Sequence, residues 1–234
     1  MKIAIIGNGP CRELYNENLK FDKVVGTNLP PENIKIDYVA CADAKAVGLM
    51  YRPWEGPHYH RLKNNEFQLV LGSRANHGLK TSKSEPGGVL TTQEFLKKNN
   101  HIYKVIELFP SAKEIGQRYF SSGHYAFLFA NEEWPNSDIH MFGFDSFFTG
   151  NNETHSVKIH KPEHNGEIKR KGGKHNNNSP INTVGSWYWV WERLFNSDKN
   201  KATSINIHGY KDDTIPNSFK DIIKVINHEI FPRV

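Results

Sequence analysis

Residues able to hold a phosphate or move a proton fall at four places in this chain of 234 residues. The first is Gly7-Asn8-Gly9-Pro10, directly after the apolar run Ile3 to Ile6. Glycines let a backbone approach a phosphate closely, and the Asn8 amide can donate a hydrogen bond. A third glycine is missing and Pro10 has no N–H, so the stretch is not the dinucleotide fingerprint. The second place is Asn28, at the end of a β-rich run, with Asp43 in a similar position after the next one. Both types can bond ribose hydroxyls or base edges, and both serve equally well as caps of turns or helices. The third is Ser121-Ser122-Gly123, where two hydroxyls at a helix start make either an anion site or an N-cap pair. The fourth is a stretch holding His155, His160, His164 and His175. A neutral histidine is the usual general base for an alcohol. His160 and His164 stand four apart, but Pro162 between them opposes a helix presenting both, so no metal site is predicted.

These residues need elements to position them, and the pattern predicts alternating strands and helices. Strands are expected at Lys2 to Gly7, Lys23 to Thr27, Asp37 to Ala42, Phe67 to Gly72, Tyr103 to Leu108, Asp138 to Phe142 and Ser204 to Ile207. Helices are expected at Cys11 to Leu19, Ala44 to Met50, Glu94 to Lys98, His124 to Ala130, Thr183 to Phe195 and Ser218 to Ile230. The last rests on Phe219, Ile222, Ile223 and Ile226 sharing a helical face. Ser73 to Gly88 reads as an irregular excursion, and 151–180 as a long loop of the kind that forms active-site lids. The expectation is an α/β fold: a single Rossmann-like domain over 1–234, with a mostly parallel sheet, helices on both faces and a flexible lid loop. In such sheets Gly7, Asn8, Gly9, Asn28, Asp43 and Asp145 would fall along the edge where ligands bind.

Composition narrows the class. The aromatic content of 12% opposes disorder. No apolar run approaches the roughly 18 residues of a membrane span, and the short apolar start does not read as a signal peptide. Two cysteines, Cys11 and Cys41, fit a reducing cytoplasm and read as small buried hydrophobes. The net charge of +5 is concentrated: Lys158, Lys161, Lys169, Arg170, Lys171 and Lys174 face only Glu163 and Glu167 across 154–178. That cluster suits an anionic partner, and equally a solvated surface loop.

The order of the motifs resembles the sialyltransferases. Gly7-Asn8-Gly9-Pro10, Asn28, Ser121-Ser122-Gly123-His124-Tyr125-Ala126, His140-Met141-Phe142-Gly143-Phe144-Asp145 and then a histidine-bearing loop are similar to the bacterial members. The resemblance runs as islands from Met1 to about Phe195. It implies metal-independent, inverting glycosyl transfer from a nucleotide-sugar donor, CMP- or UDP-linked, and no cofactor. It places Asn8, Asn28, Ser122 and Gly123 against the donor nucleotide and its phosphate, with Gly7, Gly9, Asp43, Ser121 and Asp145 around them. It makes a loop histidine the general base: His175, with His164 and His160 in reserve. Four positions depart from the pattern. Cys11 replaces a serine, Asp43 an asparagine, and Phe147 and Phe148 stand where tyrosines bind the leaving phosphate. Lys169, Arg170 or Lys174 would then have to stabilise the departing nucleotide, and the sugar stays open.

The basic loop points to an anionic acceptor, either a hydroxylated base in duplex DNA or an acidic glycan. Trp187, Trp189 and Trp191 could stack on a base or pack in the core. Two other readings stay open: a non-catalytic nucleic-acid-binding protein with a degenerate nucleotide site, and a metal-dependent phosphotransfer enzyme.

Overall fold

A computed structural model describes residues 1–42, 44–50, 57–72, 91–106, 120–144, 190–198, 200–210, 219 and 221–228. The chain divides into two compact units, Met1–Lys23 with Ala130–Val234, and Val24–Phe129.

The discontinuous unit holds β1 (Lys2–Ile6), β6 (Asp138–Phe142), β7 (Ser204–Tyr210) and β8 (Lys224–His228), side by side in that order. Every pairing among them is parallel: Ile6 faces Phe142, Met141 faces Ile207, and Tyr210 faces His228. Ile3 to Ile6 are buried without exception. A strand covered on both faces reads as a continuous apolar run, as a parallel sheet requires.

The continuous unit holds β2 (Lys23–Thr27), β3 (Tyr38–Cys41), β4 (Gln68–Leu71) and β5 (Tyr103–Val105), also in parallel and in chain order. Its helices are α1 (Ala44–Met50), α2 (Pro57–Lys63) and α3 (Thr92–Lys98), while α4 (Ser122–Glu133) starts there and runs on into the other unit. Val25, Val39, Leu69 and Leu71 form the strand side of its core, with Tyr125, Phe127 and Leu128 of α4 fully buried. Gly72 is required by this packing, because a Cβ there would lie 2.4 Å from the Tyr125 ring. The parallel α/β architecture is therefore the expected one.

Two expectations are corrected. Cys11 to Leu19 is not an α-helix but two 3-10 turns, Pro10–Leu14 and Glu17–Leu19. Asn16 breaks the stretch: it is extended, and its side chain accepts the Asn18 N–H at 2.9 Å. That local bond competes with helix continuation. Ser218 to Ile230 is not a helix either, since Lys224–His228 is strand β8, paired along β7. The apolar spacing there fits a helical face, but Val225 and Ile226 are β-branched and a strand edge was available. α2 was not foreseen from the sequence, and its Arg61 anchors it by donating to the Pro31 and Ile34 carbonyls at 3.1 and 3.0 Å. The 73–88 excursion and the 151–180 loop lie outside the described residues, as does the helix expected from Thr183 until residue 190; 190–195 are helical.

Candidate functional site

In the discontinuous unit the first corner is built from two interlocked turns. The Gly7 N–H donates to the Phe142 carbonyl at 2.7 Å, and the Gly9 N–H to the Gly143 carbonyl at 2.9 Å. A Cβ on Gly7 would sit 2.5 Å from the Gly143 carbonyl oxygen. Gly143 itself has φ +76°, the left-handed region that favours glycine. Both glycine amides thus close the ends of β1 and β6, with Asn8 half-exposed between them. The Gly9 carbonyl accepts the Arg12 N–H at 3.1 Å and opens the first 3-10 turn. Burial pushes the Arg12 guanidinium down from its usual range, against the pull of Glu13.

In the continuous unit the structure brings Asn28 and Ser122 together. Asn28 ends β2 with φ 53°, a left-handed conformation that asparagine tolerates better than most residues. Its N–H donates to the Ala40 carbonyl at 2.9 Å. Ser122 Oγ accepts the Ala42 N–H at 2.8 Å and donates to Asn28 Oδ1 at 2.5 Å. The serine hydroxyl is therefore spent in both directions, and the tie fixes the Asn28 side chain. What it leaves at the C-terminal end of a parallel strand is the Asn28 Nδ2, with two N–H donors. Ser121 works differently. Its N–H donates to His124 Nδ1 at 2.9 Å, its Oγ lies 2.8 Å from the same nitrogen, and the His124 N–H reaches back to Ser121 Oγ at 3.4 Å. This is a capping box with histidine in the place of glutamate. Gly123 lies in the first turn of α4.

A third polar group was not foreseen. On β6, β7 and β8 a row of side chains is hydrogen-bonded across the sheet. His140 Nε2 lies 3.2 Å from Asp138 Oδ2, His140 Nδ1 lies 2.9 Å from His208 Nε2, and His208 Nδ1 lies 2.8 Å from His228 Nε2. Asp138 Oδ1 takes the Ser204 hydroxyl and the Asn206 amide, the latter at 2.6 Å. His140 and His208 are buried and His228 is half-buried. Phe142 stacks on His208 at 3.8 Å, and Phe21 meets His140 edge-on at 5.3 Å. Burial pushes all three imidazoles down, His208 to about 3, with neighbouring positive groups adding to the effect on His140 and His208. Partial burial raises the Asp138 carboxyl, but hydrogen bonds from Ser204, His140 and Asn206 outweigh it and hold the group below its usual range. The signal was present in the sequence: Asp138 and His140, then Ser204, Asn206 and His208, alternate with buried apolar residues, marking one polar sheet face.

Asp43, Asp145, His160, His164 and His175 lie outside the described residues. Among the described residues no three His, Cys, Asp or Glu side chains are placed to hold a metal, and no helix is long and apolar enough to cross a membrane. Cys11 and Cys41 are buried and form no disulfide. Comparison with family models, with curated proteins and with solved structures finds no match to this chain.

Proposed function

We propose that this chain is a metal-independent, inverting glycosyltransferase of the cytoplasm. It moves a sugar from a CMP- or UDP-linked donor to a hydroxyl of an anionic acceptor, a hydroxylated base in DNA or an acidic glycan. The observation that supports this reading is the Ser122–Asn28 tie. It orients an amide donor at the C-terminal end of a parallel strand, where α/β proteins bind nucleotides, and an amide suits ribose oxygens, base carbonyls and phosphate alike. The left-handed Asn28 is held there by its surroundings, and such conformations gather at ligand sites. The basic residues of 154–178 supply the attraction for an anionic acceptor, and His175 is assigned the base, with His160 and His164 as alternatives.

A thermal-shift screen in EDTA against CMP-, UDP- and GDP-sugars tests the donor. A donor at a hundredfold excess over its Kd stabilises by about 3 kcal/mol, so the correct nucleotide raises Tm by several degrees. Asn28→Gly keeps the left-handed backbone and removes the amide, so it retains its own Tm within a few degrees and loses the shift. No response to any nucleotide sugar would overturn the reading. For the chemistry, His175→Ala loses transfer and keeps donor binding. Full activity in the triple His160→Ala, His164→Ala, His175→Ala variant removes the loop histidines from the mechanism.

A further inference from the structure

We propose that Asp138, His140, His208 and His228 form a tautomer-locked proton relay, whose open end, His228 Nδ1, takes the proton of a hydroxyl-bearing ligand at the C-terminal end of β8. All four groups belong to the discontinuous unit, and the relay stands apart from which nucleotide sugar the chain uses.

The lock follows from counting protons. A neutral imidazole carries one N–H, and an ionised carboxylate can only accept. Asp138 Oδ2 therefore requires the His140 proton on Nε2. His140 Nδ1 is then a lone pair, so His208 must donate to it from Nε2. His208 Nδ1 in turn accepts, so His228 donates from Nε2. Each ring is forced by its neighbour into the same tautomer, and the sequence of donors ends on a bare Nδ1 at His228. No hydrogen bond to that nitrogen forms among the described residues. His208, the middle ring, is held in place, because it lies face to face on Phe142 and is 2% exposed.

A proton arriving at His228 Nδ1 moves charge without moving atoms far. His228 passes its Nε2 proton to His208 Nδ1, and His208 passes its own Nε2 proton to His140 Nδ1. One O–H bond of the ligand and two N–H bonds have broken, three N–H bonds have formed, and the ligand is left as the alkoxide. The positive charge now sits on His140, against the Asp138 carboxylate. His208 and His228 are neutral again, in the opposite tautomer. Return of the proton reverses every step, so the device serves chemistry that borrows a proton and gives it back. The charged groups on the surrounding elements are Lys2 on β1, Asp138 on β6, Lys224 on β8, Arg12 and Glu13 on the first 3-10 turn, and Asp22, whose carboxylate accepts the Lys2 N–H. The two lysines oppose charging of His140 and Asp138 favours it, so the carboxylate is what makes the inner end of the relay receptive.

The way Asp138 is held yields a sharp test. Ser204 and Asn206 both donate to Oδ1, and His140 alone meets Oδ2. In Asp138→Asn the amide oxygen stays with the two donors, and the NH2 group falls where Oδ2 was. It donates to His140 Nε2, which drives the His140 proton to Nδ1 and so reverses His208 and His228 in turn. Long-range 15N–1H NMR of the histidine rings in the full chain reads each tautomer. The wild type is expected to show Nε2–H at all three rings at pH 7.5, and Asp138→Asn to show Nδ1–H at all three. Diethyl pyrocarbonate, which attacks a bare imidazole nitrogen, should modify His228 in the wild type and do so severalfold more slowly in the variant. Reversal confined to His140, or mixed tautomers in the wild type, would overturn the relay. An unreactive His228 in the wild type would overturn its open end. Should Asp138→Asn unfold, His208→Phe keeps the stack on Phe142 and cuts the chain. His140 then stays Nε2–H while His228 becomes a tautomer mixture, and an unchanged His228 would count against the proposal.

Discussion

In the unit spanning Val24–Phe129, Ser122 runs from a backbone amide to a single side chain; in the unit built around β1, the row from Asp138 to His228 passes from side chain to side chain. Ser122 joins an amide of the sheet to Asn28, and Ser121 and His124 close the start of α4 on themselves. The Ser122 bonds do not depend on pH, because neither a serine nor an asparagine titrates in the usual range. The row from Asp138 to His228 instead links four titratable groups, and only its inner end is anchored. One unit fixes a donor in space; the other fixes where protons sit. The same parallel scaffold carries both, so the difference lies in which residue types line the strands.

Three measurements can break or sharpen that contrast. The largest effect belongs to a position where geometry alone decides. Gly7→Ala places a methyl against the Gly143 carbonyl, and should cost about 3 kcal/mol, the upper end for overpacking, in urea unfolding. Next, Ser122→Ala strands the buried Ala42 N–H, and should cost about 2 kcal/mol by the same measurement. That loss should be equal at pH 7.5 and pH 5.5. A pH-dependent loss would mean the two units do not differ as described. Smallest is the effect of acid on the wild type. The folded-state values of the three histidines lie below those of the unfolded chain, so the unfolded state binds protons first as pH falls below 6.5. Their stabilisation is present above that point and drains away down to about 3, the value for His208. His208 alone accounts for about 1 kcal/mol between pH 7.5 and pH 5.5. His208→Phe should flatten that slope. A wild-type stability that rises on acidification would contradict the burial of these rings.

Much of the scaffold is legible in the residues. Ile3 to Ile6, Val39 to Cys41 and Leu69 to Leu71 are short apolar runs cut by glycine or polar residues, and each became a buried strand. The departure at β8 arises where two periods compete. Around Ile222, Ile223, Val225 and Ile226 the apolar spacing satisfies a helix and a strand equally, and pairing with β7 decided. The site is less legible for a different reason. Asn28 and Ser122 each stood out as polar residues at an element's end, but their bond spans 94 residues, and no local pattern encodes it. His140, His208 and His228 sit on three separate strands, and only the register brings their rings into line. Single polar residues in apolar strands look like isolated exceptions until the neighbouring strand is known.

The pairing of β1 with β6 has a consequence for synthesis. Ile6 must find Phe142, and everything from Val24 to Phe129 is made in between. The intervening unit is contiguous, with each of its strands next to its successor, and it can be complete while the ribosome is still adding β6. β1 is thus placed in its own unit only after a whole compact body has emerged. Joining such distant segments is slow, because the loop must close before its contacts form. During that interval Ile3 to Ile6 lack the strand that they face within their unit.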